Sequence, residues 1–310
     1  MEYLILVAGL ALIIIGAMML TDGSVALAKK FRVPEFIIGL TVMAVGTSLP
    51  EFVVSFFAAL GGSGDMAIGN IVGSNTFNIL AILGICAIFM PIDFTRTNVR
   101  RDIPACIAAT VALLVVTALN EDITRIEGLI LLAGYVVMIT LTIRADRKAM
   151  TKEPEAEALT VKMSYLKVTV WIVAGLAGLI FGGRMCVNSA TEIARQLGVS
   201  EAVIAITLVA GGTSLPELAS SLVSILRGSP SLALGNVLGS NIANILLILG
   251  VCGTVTPLTM GDVGMNDIYM TLAAAMIVLI SALIIGRDKL TRIEGVMFLV
   301  CYAAYVYTLI

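Results

Sequence analysis

From Tyr3 to Leu20 the chain runs without a charged residue, and comparable apolar stretches recur along nearly its whole length. About 20 such residues cross the hydrocarbon core of a bilayer as one helix. In lipid every backbone polar group must be satisfied internally, which restricts spanning structures to helices and closed barrels. Apolar runs set against charged or Gly/Pro-rich breaks predict ten helices, near 2–28, 36–60, 67–90, 103–119, 126–143, 166–193, 202–226, 233–255, 268–286 and 293–310. The expected fold class is an all-α membrane protein with ten transmembrane helices. Composition agrees: 59% of the residues are hydrophobic and 13% charged, against about a quarter charged in a soluble domain. The first stretch has neither a basic n-region nor a small-residue cleavage site, so it reads as a retained helix and not as a removable signal.

If the first loop is cytoplasmic, only Arg125, Arg184 and Arg195 among the 19 basic residues fall on the other side. The positive-inside rule then puts both termini outside, in a plasma (inner) membrane. Net charge is −2, and no long like-charge run exists outside the central loop, so no nucleic-acid partner is expected. The bilayer and transported cations are the partners implied, with no obligate protein partner and no cofactor. Cys86, Cys106, Cys186, Cys252 and Cys301 stand singly in apolar segments without C-x-x-C spacing, the pattern of packing residues. Histidine is absent, which removes the usual proton shuttle and the commonest transition-metal ligand. An ion site here has to be built from oxygen.

A shift of 166 residues aligns G-T-S-L-P-E at 46–51 with the same string at 212–217. It also superposes Gly69-Asn70 on Gly235-Asn236, Gly73-Ser74-Asn75 on Gly239-Ser240-Asn241, and Pro91 on Pro257. T-R-I-E-G at 124–128 recurs at 291–295, with the shift grown by one. Each half holds five predicted helices, and an odd number makes the second half enter from the opposite side. Two inverted five-helix repeats are therefore expected, 1–143 and 166–310, joined by a polar cytoplasmic linker at 144–165. This is a secondary-transporter layout, with its site at the repeat interface near the midplane.

Most acids lie in loops or near helix ends, but Glu51 and Glu217 lie deep in predicted spans. An acid at that depth costs at least about 2.5 kcal/mol, so a functional partner is the default explanation. A protonated, hydrogen-bonded structural Glu is the alternative. Pro50 and Pro216 precede the two acids and lack an N–H, so each helix loosens there. That exposes carbonyls of Gly46, Thr47, Gly212 and Thr213 beside the hydroxyls of Thr47, Ser48, Thr213 and Ser214. A simple proline kink is the competing explanation. In the next helix of each half, Asn70-Ser74-Asn78 and Asn236-Ser240-Asn244 are spaced by four and share one face. Glycines 69, 73, 235 and 239 form small-xxx-small patterns that also suit close helix packing. Carboxylates, hydroxyls, amides and freed carbonyls together suit a hard cation taking six to eight oxygens, such as calcium.

With these motifs, G-T-S-L-P-E followed by G-N-I-V-G-S-N-T-F-N and again by G-N-V-L-G-S-N-I-A-N, the chain resembles the calcium/cation antiporter superfamily, most closely its prokaryotic sodium/calcium exchangers. The resemblance spans essentially the whole chain. It implies calcium held centrally by Glu51 and Glu217 with Thr47 and Thr213 beside them. It also implies flanking sodium sites at Ser48, Ser74, Ser214 and Ser240 with the backbone oxygens of Ala44 and Ala210, and a centre completed by Asn78 and Asn244. Some relatives carry an aspartate where this chain has Asn244. Two glutamates are neutralised by one calcium, two sodium ions or two protons, which permits an electroneutral cycle. The resemblance, with the many hydroxyls and the amide in place of an acid, implies exchange of calcium for sodium, without potassium, by alternating access. The first and sixth helices, with Gly16 and Gly182, are the expected moving pair, and Asp22, the counterpart of Asn188, is a candidate on the cytoplasmic ion path. A proton-coupled calcium exchanger is the nearest alternative and a cation channel a more distant one. An enzyme is not expected, since neither G-x-S-x-G nor H-E-x-x-H occurs.

Overall fold

The computed structural model describes residues 1–120, 122–150, 163–197, 210–261, 263–286 and 288–309. Eight of its helices are long and apolar enough to cross a membrane: α1 (Glu2–Phe31), α4 (Gly64–Phe89), α5 (Asn98–Leu119), α6 (Arg125–Met150), α7 (Tyr165–Gln196), α9 (Pro230–Val255), α10 (Met265–Ile285) and α11 (Arg292–Leu309). A ninth span is bent by 47° between α2 (Glu35–Thr47) and α3 (Leu49–Leu60). The expected span at 202–226 is described only from Ala210, as the short turn Ala210–Gly212 and helix α8 (Leu215–Leu226); its earlier part lies outside the described residues. The chain is thus an all-α membrane protein with eight or nine apolar spans among the described residues.

The hydropathy of these helices does not say which are central; their burial does. In α9, 94% of the most apolar window is buried, and in α4 78%, against 17% in α6 and α11. The helices carrying the Asn-Ser stripes therefore form the middle of the molecule, and α6 and α11 face lipid.

Glycine lets two helix pairs approach to backbone contact. A Cβ on Gly16 of α1 would lie 2.8 Å from the Gly175 carbonyl oxygen of α7, and one on Gly182 would lie 2.8 Å from the Gly9 oxygen. Gly9 and Gly16 are 166 residues from Gly175 and Gly182, so the seam repeats itself head to tail. Likewise a Cβ on Gly39 would meet the Leu232 oxygen, and on Gly235 it would meet the Phe36 oxygen, which draws α2 against α9. Gly62 (φ 81°) and Gly228 (φ 77°) take the left-handed turn that leads from each carboxylate-bearing helix into the Asn-Ser helix.

The T-R-I-E-G strings open α6 and α11 as capping boxes. Glu127 accepts from the Thr124 amide (2.8 Å) while the Thr124 hydroxyl accepts from the Glu127 amide (3.3 Å). Thr291 and Glu294 do the same at 2.8 and 3.4 Å, satisfying donors that a helix start leaves orphaned. Beside the helices, four two-residue strands occur among the described residues: β1 (Ile92–Asp93) pairs antiparallel with β4 (Lys289–Leu290), and β2 (Asp122–Ile123) with β3 (Leu258–Thr259). These ladders tie interhelical loops of the two halves together and satisfy their backbone groups at the membrane edge. Helix α6 continues through Met150, into the first part of the expected linker.

Candidate cation site

The helix carrying the first G-T-S-L-P-E string breaks at Ser48 (φ −80°, ψ 8°). The second breaks at Ser214 with nearly the same angles (φ −89°, ψ 7°). Pro50 and Pro216 stand in the first two positions of the helices that follow, where the missing N–H would be unsatisfied anyway. Glu51 and Glu217 consequently lie in the first turns of α3 and α8, beside the positive end of each helix dipole, which favours a carboxylate. Loosening at proline was expected; a new helix N-terminus aimed at each acid is what the folded backbone adds.

Each glutamate is held from the other half. Ser48 donates to Glu217 Oε1 at 2.9 Å, and Ser214 donates to Glu51 Oε1 at 2.9 Å. Both carboxylates are fully buried. Oε2 of each has no protein partner.

A second reciprocal arrangement fixes the amides. Asn75 Nδ2 donates to the Asn241 carbonyl (3.0 Å) and Asn241 Nδ2 to the Asn75 carbonyl (3.1 Å). Asn78 Nδ2 then donates to Asn241 Oδ1 (3.1 Å), and Asn244 Nδ2 to Asn75 Oδ1 (3.0 Å). With their donors engaged this way, Asn78 and Asn244 each keep a buried Oδ1 without a partner. Both residues lie in wide π turns, Asn78–Ile82 and Ala243–Leu249, a local widening often found at functional sites. Asn75 and Asn241 were not among the expected site residues. The signal was present in the duplicated Gly-Ser-Asn, but spacing of four assigned them to another helix face.

The remaining expected residues divide. Ser74 Oγ and Thr213 Oγ1 are buried and unpartnered. Ser240 Oγ reaches the Ala44 carbonyl at 3.4 Å, so those two expected neighbours do meet. Thr47 Oγ1 contacts the Ala44 carbonyl (3.3 Å) and Asn236 Oδ1 (3.2 Å), which leaves it less free than Thr213. Ala210 opens the turn before Ser214, and its side chain lies outside the described residues. Asn70 turns its amide to the Glu51 carbonyl (3.4 Å) and Ser55 (3.0 Å), and Asn236 to Ser220 (3.1 Å) and Ser221 (2.9 Å). Asp22 lies away from this centre, 3.5 Å from Arg227 at the far end of α8. Arg184 is exposed and, with Asn188, lines a cavity of about 140 Å³ that reaches Pro50, Thr213 and Pro216. A cavity of about 410 Å³ descends from Asp65 and Asp267 to Asn70 and Ser74.

Six buried oxygens of expected site residues thus lack protein partners: both Glu Oε2, both Asn Oδ1, Ser74 Oγ and Thr213 Oγ1. A buried acceptor without a partner costs about 1–3 kcal/mol. With the glutamates ionised these oxygens form a set of net charge −2, which suits a hard cation.

A family model described as sodium/calcium exchanger protein matches residues 1–144 and 167–310. A putative antiporter, CaxA of Alkalimonas amylolytica, is 37% identical over 308 residues, covering 97% of this chain and 96% of its own. The sodium/calcium exchanger MaX1 of Methanosarcina acetivorans is 30% identical, with 99% and 98% covered. Among solved structures, one of the sodium-calcium exchanger NCX_Mj superposes with a TM-score of 0.87 at 31% identity, covering 100% of this chain and 99% of that one.

Proposed function

From the premise that this chain belongs to the sodium/calcium exchanger family, we propose that it exchanges calcium for sodium across the plasma membrane by alternating access, without requiring potassium. The six unpartnered buried oxygens carry this reading. One calcium or two sodium ions neutralise the two glutamates equally, so the same shell serves either load in turn. The amides Asn78 and Asn244 leave no further negative charge for an additional potassium ion to balance. In this reading calcium lies between Glu51 and Glu217, and sodium uses Ser48, Ser74, Ser214 and Ser240 with the carbonyls of Ala44 and Ala210.

The architecture in this reading is ten helices in two inverted repeats, 1–143 and 166–310, joined by a cytoplasmic linker. Three observations support it. The family model matches the two halves as separate segments. The site bonds are reciprocal between them. The ladders pair the loop at 93 with that at 289 and the loop at 123 with that at 258, as an even number of crossings between each pair would give in a ten-helix chain. Both termini then lie outside, as the distribution of basic residues requires.

The test is calcium flux into protein-containing liposomes with sodium, potassium and proton gradients imposed one at a time. Sodium alone is expected to drive uptake in the parent, and Glu51→Gln and Glu217→Gln are each expected to abolish it. Uptake that follows a pH gradient and ignores sodium would reject sodium coupling. Retained exchange in both variants would reject the site.

A further inference from the structure

The two halves differ along the helix that carries the glutamate. Below Glu217, α8 presents Ser220, Ser221 and Ser224, all fully buried. Ser224 Oγ lies 3.2 Å from Thr21 Oγ1 of α1. One turn further along α1 is Ser24, also fully buried, whose hydroxyl has no partner. Helical spacing of three keeps Thr21 and Ser24 on one face. The file ends at the half-exposed Asp22–Arg227 ion pair, 3.5 Å, which joins the same two helices. Shifted by 166, the counterparts of Ser220, Ser224, Thr21 and Ser24 are Val54, Ala58, Val187 and Ala190. Only Ser221 has a polar counterpart, Ser55. Packing alone does not require these hydroxyls, since the other half uses apolar residues at the same places.

We propose that the hydroxyls of Ser220, Ser224, Thr21 and Ser24 form the path by which cations pass between Glu217 and the end of the molecule bearing Lys29, Lys30 and Arg32, with the Asp22–Arg227 pair closing it. The inference rests on the exchanger reading. A cation leaving the carboxylate sheds protein oxygens before it meets bulk water, and hydroxyls spaced one helical turn apart replace them in sequence. The unpartnered Ser24 hydroxyl lies within a helical turn of Asp22, the acid of the ion pair. Passage requires Asp22 and Arg227 to separate, which sliding of α1 against α8 would bring about.

The test imports the opposite half's residues as Thr21→Val/Ser24→Ala/Ser224→Ala and compares calcium binding by the purified protein with sodium-driven calcium flux in liposomes. Binding is expected to stay within twofold and flux to fall by about tenfold, as for loss of one such ion contact at the barrier. Parental flux overturns the path, and so does loss of binding in parallel with flux. A second variant, Ser24→Cys with the native cysteines replaced by alanine, is treated with a membrane-impermeant methanethiosulfonate reagent from each side. Modification is expected from the basic side only, faster with Arg227→Gln. Modification from the opposite side, or from neither under any ion condition, overturns the proposal. A parent protein without sodium-driven flux would instead defeat the exchanger reading, while the labelling pattern would still test the path.

Discussion

Asn75 and Asn241 orient side chains across the two halves. Their carbonyls and side-chain oxygens take up the amide donors of the opposite half, which turns the oxygens of Asn78 and Asn244 the other way. Asn241→Ala removes the acceptor that orients Asn78, and calcium affinity measured by titration of the purified protein is expected to fall by about tenfold, the worth of one lost buried hydrogen bond. Unchanged affinity would mean that Asn78 is oriented by something else. Asn244→Asp tests the charge argument. A third carboxylate takes the shell from −2 to −3, so one further monovalent cation should accompany the bound load. The reversal potential of exchange in liposomes measures charge moved per calcium, and the same value in parent and variant would contradict the assignment. The T-R-I-E-G strings show the converse case. Duplicated and conspicuous, they cap helices and lie outside the ion shell.

At the scale of elements, the α1–α7 seam joins the two longest described helices through glycine at the closest approaches, with Ile13, Ala17, Leu20, Ile172 and Leu179 packed around them. Gly16→Val would drive a side chain into the Gly175 oxygen and the Leu179 amide, both backbone atoms that cannot swing away. Overpacking of this kind costs about 1–3 kcal/mol. If α1 and α7 slide as a unit past the centre, exchange should slow far more than calcium affinity weakens, read as flux against equilibrium binding. Gly134→Ala is the comparison, because a Cβ there first meets Leu246 at 4.0 Å and should leave both unchanged. Equal behaviour of the two variants would separate the seam from transport. The broken helices follow from composition more directly. Proline two residues after serine ends one helix and starts another, so the polar backbone ends appear at membrane depth, where they are tolerated because protein covers them.

For the whole molecule, the β1–β4 and β2–β3 ladders are a topological statement. Loops paired by hydrogen bonds must share a side of the membrane, and the two ladders must lie on opposite sides if α5 crosses once. Cysteines introduced singly at Asp93 and Thr259, both exposed, are expected to react with an impermeant thiol reagent from the inside and the outside respectively. Reaction of both from one side would break the ten-helix, inverted-repeat reading.

By itself, the sequence determined that the chain spans a membrane, that its halves repeat at a shift of 166 to 167 residues, and that Glu51 and Glu217 are the acids to watch. Those properties are written in hydropathy, in identity between segments and in the cost of burying charge, each of which is additive along the chain. What only the tertiary structure decided is how the halves meet. No spacing rule reveals that Ser48 bonds Glu217 while Ser214 bonds Glu51, since these pairs are 169 and 163 residues apart. Nor does it reveal that α4 and α9 are central while α6, as apolar as either, faces lipid. In a bilayer both environments accept the same side chains, so hydropathy carries no direction. Backbone approach through glycine and the pairing of buried polar atoms supply it.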